Sequence, residues 1–472
     1  MNQELIKPAE LTIKDKKKVV KGTITRLAVY ARSKVVEVLT GEKACYYLVY
    51  YKNHMVYGAQ LEQAPSGTFI SKAFQEGISI VSPHPLLSAG IPHLSVAIPN
   101  KNKVFSQIQT DFTLQESAYI AATLDAFFEK DQLAAFIDKI FYHYRRSGKF
   151  FKSFQIVQLL NTFAPEIKSM KHLINSQEFI PYHHFYQSSN LPAIMSKDPL
   201  FAELSAFKNR TQPDSWTFLA NLAAEHDGWT VLWLWLEKSE QLPDSAAMEK
   251  YTEIALQLVT KEEWLLILSM AGINPFRVLA DSKAIIEKMV QKGNAEWAAL
   301  YLFDHMEELP DTYMPILQTI WEKAETNFII SHLDRFIGLL SLLPQSETFQ
   351  EFEQKAFQLA VTLLNQYELD TVCDKLSVFR KIYPDSKVLR KMNMMQGLLE
   401  DPDRMMELGD CFAEFRQFDK AIDCFFWEME LDPKNPSPVQ KISKMYQYKG
   451  MAKEAAAYQK VFAQLKSNQA AG

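Results

Sequence analysis

The sequence predicts a mainly α chain: an α-solenoid of stacked helical hairpins, preceded by a small β or α+β domain. Three observations predict it. Glycine is scarce, 15 in 472 residues, which disfavours a turn-rich all-β fold. Small, large and turn-forming residues recur 34 positions apart near the C-terminus. The first 110 residues, unlike the remainder, are rich in β-branched and aromatic runs, the strand signature.

Within that N-terminal part, Val19–Leu27, Ala44–Tyr51 and Met55–Gln60 are expected as strands, with Lys52–Asn53–His54 as a hairpin loop. Gly67–Ile70, Ile78–Ser82 and Leu94–Ile98 are shorter strand candidates among Pro65, Pro83, Pro85, Pro92 and Pro99. Ala28–Leu39 fits strand and helix equally. Helices are expected from a transition near Asn100–Gln115 onward. The expected organisation is 1–115 as the small β or α+β domain and 116–211 as a helical region with one degenerate hairpin. Degenerate helical repeats follow over 212–400, and two clearer units over 402–469.

The repeat is clearest from Met405 to Pro433. Leu408, Gly409 and Phe412 share one helical face; a break at Arg416–Gln417 follows; then Ala421, Phe425 and Met429 share a second face. Proline at 433 closes the unit. A shift of 34 carries Leu408 to Ile442, Gly409 to Ser443, Phe412 to Tyr446, Arg416 to Gly450 and Ala421 to Ala455, each of suitable size. Weaker copies cover Leu279–Asp311, turning at Gly293, and Ala134–Lys168, turning at Gly148. A third covers Gln212–Ser245, turning at Asp227–Gly228. Pro243, Pro275, Pro310 and Pro344 are spaced as helix terminators. The wider gaps to Pro384 and Pro433 imply inserted helix at Gln345–Gln350 and Lys387–Glu400. The prolines and the run Tyr182–Tyr186 interrupt the phase over Ser169–Thr211.

These residues resemble the tetratricopeptide repeat, two antiparallel helices in about 34 residues, and the chain is similar to bacterial, Bacillus-type proteins that contain it. In that pattern Gly409 and Ala421 stand at small positions and Leu408, Phe412 and Phe418 at large ones. Met405, Arg416 and Glu428 depart from it, standing where Trp, the turn Gly and the last Ala are usual. The resemblance implies a groove lined by the first helix of each hairpin. Carried over by phase, the groove candidates are Met406, Asp410, Ala413 and Glu414 in one unit and Gln440, Lys444, Gln447 and Tyr448 in the next. Asp410 and Glu414 carry the wrong charge for clamping a peptide's terminal carboxylate, so a basic or mixed peptide, or a protein surface, is the expected guest.

Composition and motifs narrow the function. The apolar share of 47% and charged share of 23% are globular, and the net charge of −5 announces neither nucleic acid nor membrane. The opening residues lack the apolar run of a secretory signal. The longest apolar stretch, Trp229–Leu236, is far short of the roughly 18–20 residues of a membrane span. Cys45, Cys373, Cys411 and Cys424 form no CxxC pair, so a cytoplasmic location is expected. Ser147–Gly148–Lys149–Phe150 lacks the upstream glycine and the Ser/Thr of a phosphate loop, and GxGxxG, GxSxG and HExxH are absent. No catalytic residue, cofactor or metal site is expected. His183 and His184 are adjacent and project differently, which suits loop or surface histidines better than metal ligands. Cys411 and Cys424 suit buried filler. Trp229, Trp233 and Trp235 sit on an all-round apolar helix, which points to burial between stacked hairpins.

Two basic stretches remain. Lys14, Lys16, Lys17, Lys18 and Lys21 suit a solvated strand edge, and phosphate contact is the alternative. The second, Tyr142–Lys152, interleaves Arg145, Arg146, Lys149 and Lys152 with aromatics: Ile140, Phe141 and Tyr144 are expected in the core and the arginines at a helix C-terminus, and stacking on single-stranded nucleic acid is the alternative. Three functions stay open: a non-catalytic scaffold binding protein or peptide through the helical array, a nucleic-acid-associated regulator using the N-terminal lysines, and an enzyme with a site in the N-terminal domain.

Overall fold

The structure, a computed structural model, describes residues 6–41, 44–166, 173–187, 190–224, 228–237 and 245–471. The chain forms two compact units, Met1–Leu279 and Ala280–Gly472. As expected, it is mainly α: tetratricopeptide-like hairpins preceded by a half-barrel sheet.

The sheet contains β1 (Glu10–Asp15), β2 (Lys18–Tyr30), β3 (Ser33–Thr40), β4 (Cys45–Tyr51), β5 (His54–Leu61), β6 (Ile78–Val81) and β7 (Ser95–Ala97). Its order is β5-β4-β3-β2-β1-β7, with β6 pairing the second half of β2. Tight turns set the register. Lys52 and Asn53, at φ 46° and 64°, give the doubly left-handed turn whose twist matches antiparallel strands. The ambiguous stretch Ala28–Leu39 is therefore two strands, β2 folding back on β3 through Ala31 at φ 51°. The short stretches Ile78–Ser82 and Leu94–Ile98 hold β6 and β7.

Gly67–Ile70 is not a strand. It leads into helix α1 (Phe69–Glu76), because Gly67 turns at φ 75° and the Phe69 N–H donates to both carboxylate oxygens of Asp125, at 2.9 and 3.1 Å. That cap comes from 56 residues away, where local pattern carries no signal.

Helices α2 (Val104–Asp111), α3 (Leu114–Ala122), α4 (Lys130–Arg146) and α5 (Phe150–Phe163) follow. The expected core residues Ile140, Phe141 and Tyr144 are buried. Arg145 pairs with Glu178 at 2.9 Å as well as sitting in the last helical turn. One core runs from Val35, Val49 and Tyr51 of the sheet through Ile120 of α3 to Phe141 of α4 and Phe154 of α5.

The stretch Ser169–Thr211 proves helical where described. It holds α6 (Ile180–Gln187), α7 (Leu191–Lys197) and α8 (Pro199–Lys208). Its prolines start helices rather than break them: Pro199 stands at the first position of α8, where a missing N–H costs nothing, beside the cap that Asp198 gives the Phe201 N–H at 3.1 Å. The same role falls to Pro275, which opens a short helix, and to Pro344, the N-cap residue of a long one. Pro243 and Asp227 lie outside the described residues. Unit one continues with α9 (Pro213–Ala224), α10 (Gly228–Glu237), α11 (Ser245–Leu256) and α12 (Lys261–Met270).

The apolar helix α10 is buried, but not merely between hairpins. Trp229 packs on the N-terminal part: its indole N–H donates to the Leu86 carbonyl at 2.9 Å, and a Cβ on Gly90 would meet the ring at 2.9 Å. Sheet and helices of unit one thus share a core.

Unit two is a run of helices that pack in chain order. These are α13 (Ser282–Gln291), α14 (Ala295–Phe303), α15 (Met314–Lys323), α16 (Thr326–Ser331), α17 (Leu333–Leu342) and α18 (Gln345–Leu364). Then come α19 (Leu369–Ser377), α20 (Lys387–Leu399), α21 (Met405–Glu414), α22 (Phe418–Leu431), α23 (Pro436–Tyr448) and α24 (Ala452–Ala471). The inserted helix expected at Lys387–Glu400 is α20; that expected at Gln345–Gln350 is the start of the 20-residue α18.

Hairpin turns repeat atom for atom. Gly148, Gly293, Arg416 and Gly450 all take φ between 59° and 85°. At each, two N–H groups return to the helix: Gly450 to Gln447 at 3.0 Å and Met451 to Tyr446 at 2.9 Å, matched by Arg416 to Ala413 and Gln417 to Phe412. This double closure satisfies helix-end carbonyls and needs a left-handed residue. Arg416 adopts the glycine conformation without being glycine. Inside the hairpin, a Cβ at Gly409 would lie 2.5 Å from the Phe425 ring, so only glycine lets α21 and α22 approach this closely.

Candidate partner-binding surface

Helices α21 and α23 are the first helices of two successive hairpins, and the eight groove candidates ride on them. Met406 and Ala413 are half-buried; Asp410, Glu414, Gln440, Lys444, Gln447 and Tyr448 are exposed. The Met406 N–H donates to Glu428 at 3.1 Å, so the departure from alanine at 428 caps the neighbouring helix.

The two acidic candidates have partners. Asp410 holds Lys441 of α23 at 2.6 and 2.7 Å, and Glu414 holds Lys391 of α20. These carboxylates tie adjacent hairpins together, a use that sequence phase alone does not reveal, because Lys441 is 31 residues and Lys391 is 23 residues away. Asp419 with Lys449 and Glu368 with Lys420 add to the set. Among the described residues, Gln440, Lys444 and Tyr448 have no ion pair or hydrogen bond of this kind. Tyr448 is 68% exposed yet its ring stacks on Phe418, centroids 5.5 Å apart and planes at 26°. A ring held stiff and left in water is the type of side chain that anchors protein interfaces.

The five lysines cluster at the β1–β2 hairpin. Lys14, Lys16, Lys17, Lys18 and Lys21 are all exposed, and Lys16 takes the left-handed turn conformation at φ 54°. They surround a hairpin tip rather than an open sheet edge, since β7 pairs β1 over Thr12–Lys14.

The histidine pair lies on helix α6, not a loop. His183 is half-buried, 2.7 Å from the Ile174 carbonyl through Nε2, and His184 is exposed. Among the described residues, no three His, Cys, Asp or Glu side chains are grouped to hold a metal. Cys411 and Cys424 are buried free thiols, and burial pushes the Cys424 thiol up to about 11.

Sequence inspection missed a cleft of about 370 Å³ where the β2–β3 and β4–β5 turns meet α8–α10. Arg32, Lys34, Lys52 and Asn53 line one wall, Glu203 and Phe207 the other. Its cations are spoken for. Arg32 pairs with Glu203, Lys52 with Glu116, and Lys34 donates to Asn53 at 2.8 Å and the Gly90 carbonyl at 3.2 Å. Burial alone would raise the Glu116 carboxyl, but hydrogen bonds from Lys52 and Thr113 hold it below its ordinary value. The cleft is a polar joint that docks two sheet turns onto helices. No described helix is long and apolar enough to cross a membrane.

No protein-family profile and no curated protein sequence matches the chain. Several solved structures are similar to it, two of them as follows. The crystal structure of MamA is 19% identical, over 40% of this chain and 98% of that one, at a TM-score of 0.17. The structure of Naa15/Naa10 bound to HypK-THB is 14% identical, over 77% of this chain and 60% of that one, at a TM-score of 0.16.

Proposed function

We propose that the chain is a non-catalytic cytoplasmic scaffold that binds a protein or peptide through the first-helix face of its tetratricopeptide-like hairpins. The observation that supports it most is Tyr448: a stiffened, 68%-exposed ring flanked by exposed Gln440, Lys444 and Gln447 on α23. With Asp410 and Glu414 engaged by lysines of neighbouring helices, the donors of this face without a partner among the described residues are Lys444 and the Gln440 amide, while the Gln447 amide reaches Gln459 at 3.5 Å. They suit a guest carrying carboxylates or backbone carbonyls rather than a basic one. Met406 and Ala413 supply the apolar floor.

The test is quantitative affinity capture with the intact chain and with Gln440→Ala/Tyr448→Ala. Both side chains are exposed, so the fold is retained, and partner recovery falls at least tenfold if this face is the site. Unchanged recovery overturns the proposal. Deleting the N-terminal domain is the poorer experiment, because it would strip the shared core from α3–α5 and α10.

A second reading belongs to the β1–β2 hairpin. Five exposed lysines around one turn suit phosphate contacts, and binding there would weaken steeply with salt. Nucleic-acid binding that vanishes in Lys16→Glu/Lys17→Glu supports it; no binding at low salt removes it.

A further inference from the structure

The hairpins of unit two seat one another, and the seat on α23–α24 is electrically inverted. In the preceding hairpin, α22 receives α23: Phe418 stacks on Tyr448, and Lys441 lies over the Phe425 ring, 5.4 Å from its centroid. Two carboxylates flank this seat. Asp410 on α21 holds Lys441, and Asp419 at the start of α22 holds Lys449. The seat is acidic and the helix lying in it is basic.

The 34-residue register carries this seat onto the next hairpin. Phe418 and Phe425 become Ala452 and Gln459, and Ile422 and Met429 of the same helix become Ala456 and Ala463. All four are exposed, and they line an open groove of about 500 Å³ with Gln447 and Lys460. Asp410 becomes Lys444 and Asp419 becomes Lys453. Both lysines are exposed, and neither has an ion-pair partner among the described residues. The shape of a helix seat is kept, its large apolar side chains are replaced by small or polar ones, and both flanking charges are reversed.

We infer that this groove docks an acidic amphipathic helix of a partner protein, with two carboxylates eight residues apart. They meet Lys444 and Lys453 as Lys441 and Lys449, themselves eight apart, meet Asp410 and Asp419. The small floor leaves the unoccupied surface free of a large apolar patch, so docking is reversible and depends on charge. Lys460 adds a third positive group on the rim. This rests on the scaffold function proposed above and names the chemistry of one of its partners.

The test uses the intact chain and fluorescence anisotropy with labelled 20-residue amphipathic helical peptides. One peptide carries Glu at positions i and i+8 beside its apolar face, a second carries Lys at the same two positions, and a third places the two Glu on opposite faces. The first binds at least about tenfold more tightly than either other, a difference that two designed charge contacts supply. Lys444→Glu/Lys453→Glu reverses the preference between the first two, while its circular dichroism and melting curve overlay those of the parent. Equal affinities, or an unreversed preference in the swapped chain, overturns the inference. Partner capture lost in Gln440→Ala/Tyr448→Ala but kept in the charge swap refutes the seat and leaves the scaffold function standing.

Discussion

Replacing Gly409 by valine probes the closest approach in the repeat. The first added atom, Cβ, would stand 2.5, 2.8 and 3.0 Å from three carbons of the Phe425 ring. Phe425 is fully buried, so the ring has nowhere to retreat and α21 must shift away from α22. Overpacking of this kind costs about 1–3 kcal/mol, and two further methyl groups place valine at the upper end. Better helix propensity than glycine returns only about 0.4 kcal/mol. The net loss is about 2.5 kcal/mol. Gly397 on α20 is the control: it is a helical glycine with nothing within 4 Å of its Cβ direction. Gly397→Ala therefore gains about 0.5–1 kcal/mol, with no steric term to oppose it. Hydrogen–deuterium exchange read by mass spectrometry reports both locally, which suits stacked hairpins that open piecewise. Amides of α21 and α22 exchange nearly a hundredfold faster in Gly409→Val, and those of α20 slow several-fold in Gly397→Ala. Unchanged exchange in α21–α22 refutes the claim that close helix approach at this position holds the hairpin.

Three more outcomes follow from the geometry. Arg416→Gly relieves a left-handed residue at φ 59° and raises urea resistance by about 0.5–1 kcal/mol, the chain-entropy cost of glycine offsetting part of the gain. Asp410→Lys loses about 1 kcal/mol or less by setting two cations face to face, and Lys441→Asp in the same chain restores it, as thermal melts at low salt would show. His84 is buried, its Nδ1 accepts the Leu86 N–H at 3.1 Å, and burial lowers its pKa from 6.5 to about 4. The unfolded chain thus takes up the proton first. Stability conferred by the neutral ring is complete above about pH 6.5 and is lost as pH falls toward 4, by about 3 kcal/mol in all. His84→Asn, whose side-chain oxygen accepts the same N–H, abolishes that part of the pH dependence in equilibrium unfolding; an unaltered profile contradicts it.

What sequence inspection recovers depends on whether the governing contact is local. The turns at Gly148, Gly293 and Gly450 and the small positions Gly409 and Ala421 were legible, because a left-handed residue and a helix crossing impose residue types at fixed spacing. The hairpin at Lys52–Asn53 was legible for the same reason. Helix α1 was not, since its cap is Asp125. Spacing reads Pro275 and Pro344 as helix terminators because a helix-opening proline and a helix-ending one look alike without the preceding cap. Trp229 announced burial but not its partner, the Leu86 carbonyl, 143 residues away. On the candidate surface, phase puts residues on the first helices but does not tell engaged carboxylates, Asp410 and Glu414, from groups such as Lys444 that have no ion-pair partner among the described residues. The inverted seat is not legible from spacing alone, because its meaning depends on the Asp410–Lys441 and Asp419–Lys449 pairs of the preceding hairpin.

The most direct measurement places a photo-crosslinking amino acid at position 448 of the intact chain, with position 423 on the exposed side of α22 as its counterpart, inside the cells that make the protein. A scaffold working through its first-helix face gives a discrete protein adduct from 448 and none from 423. No adduct from 448, or the same adducts from both positions, contradicts it.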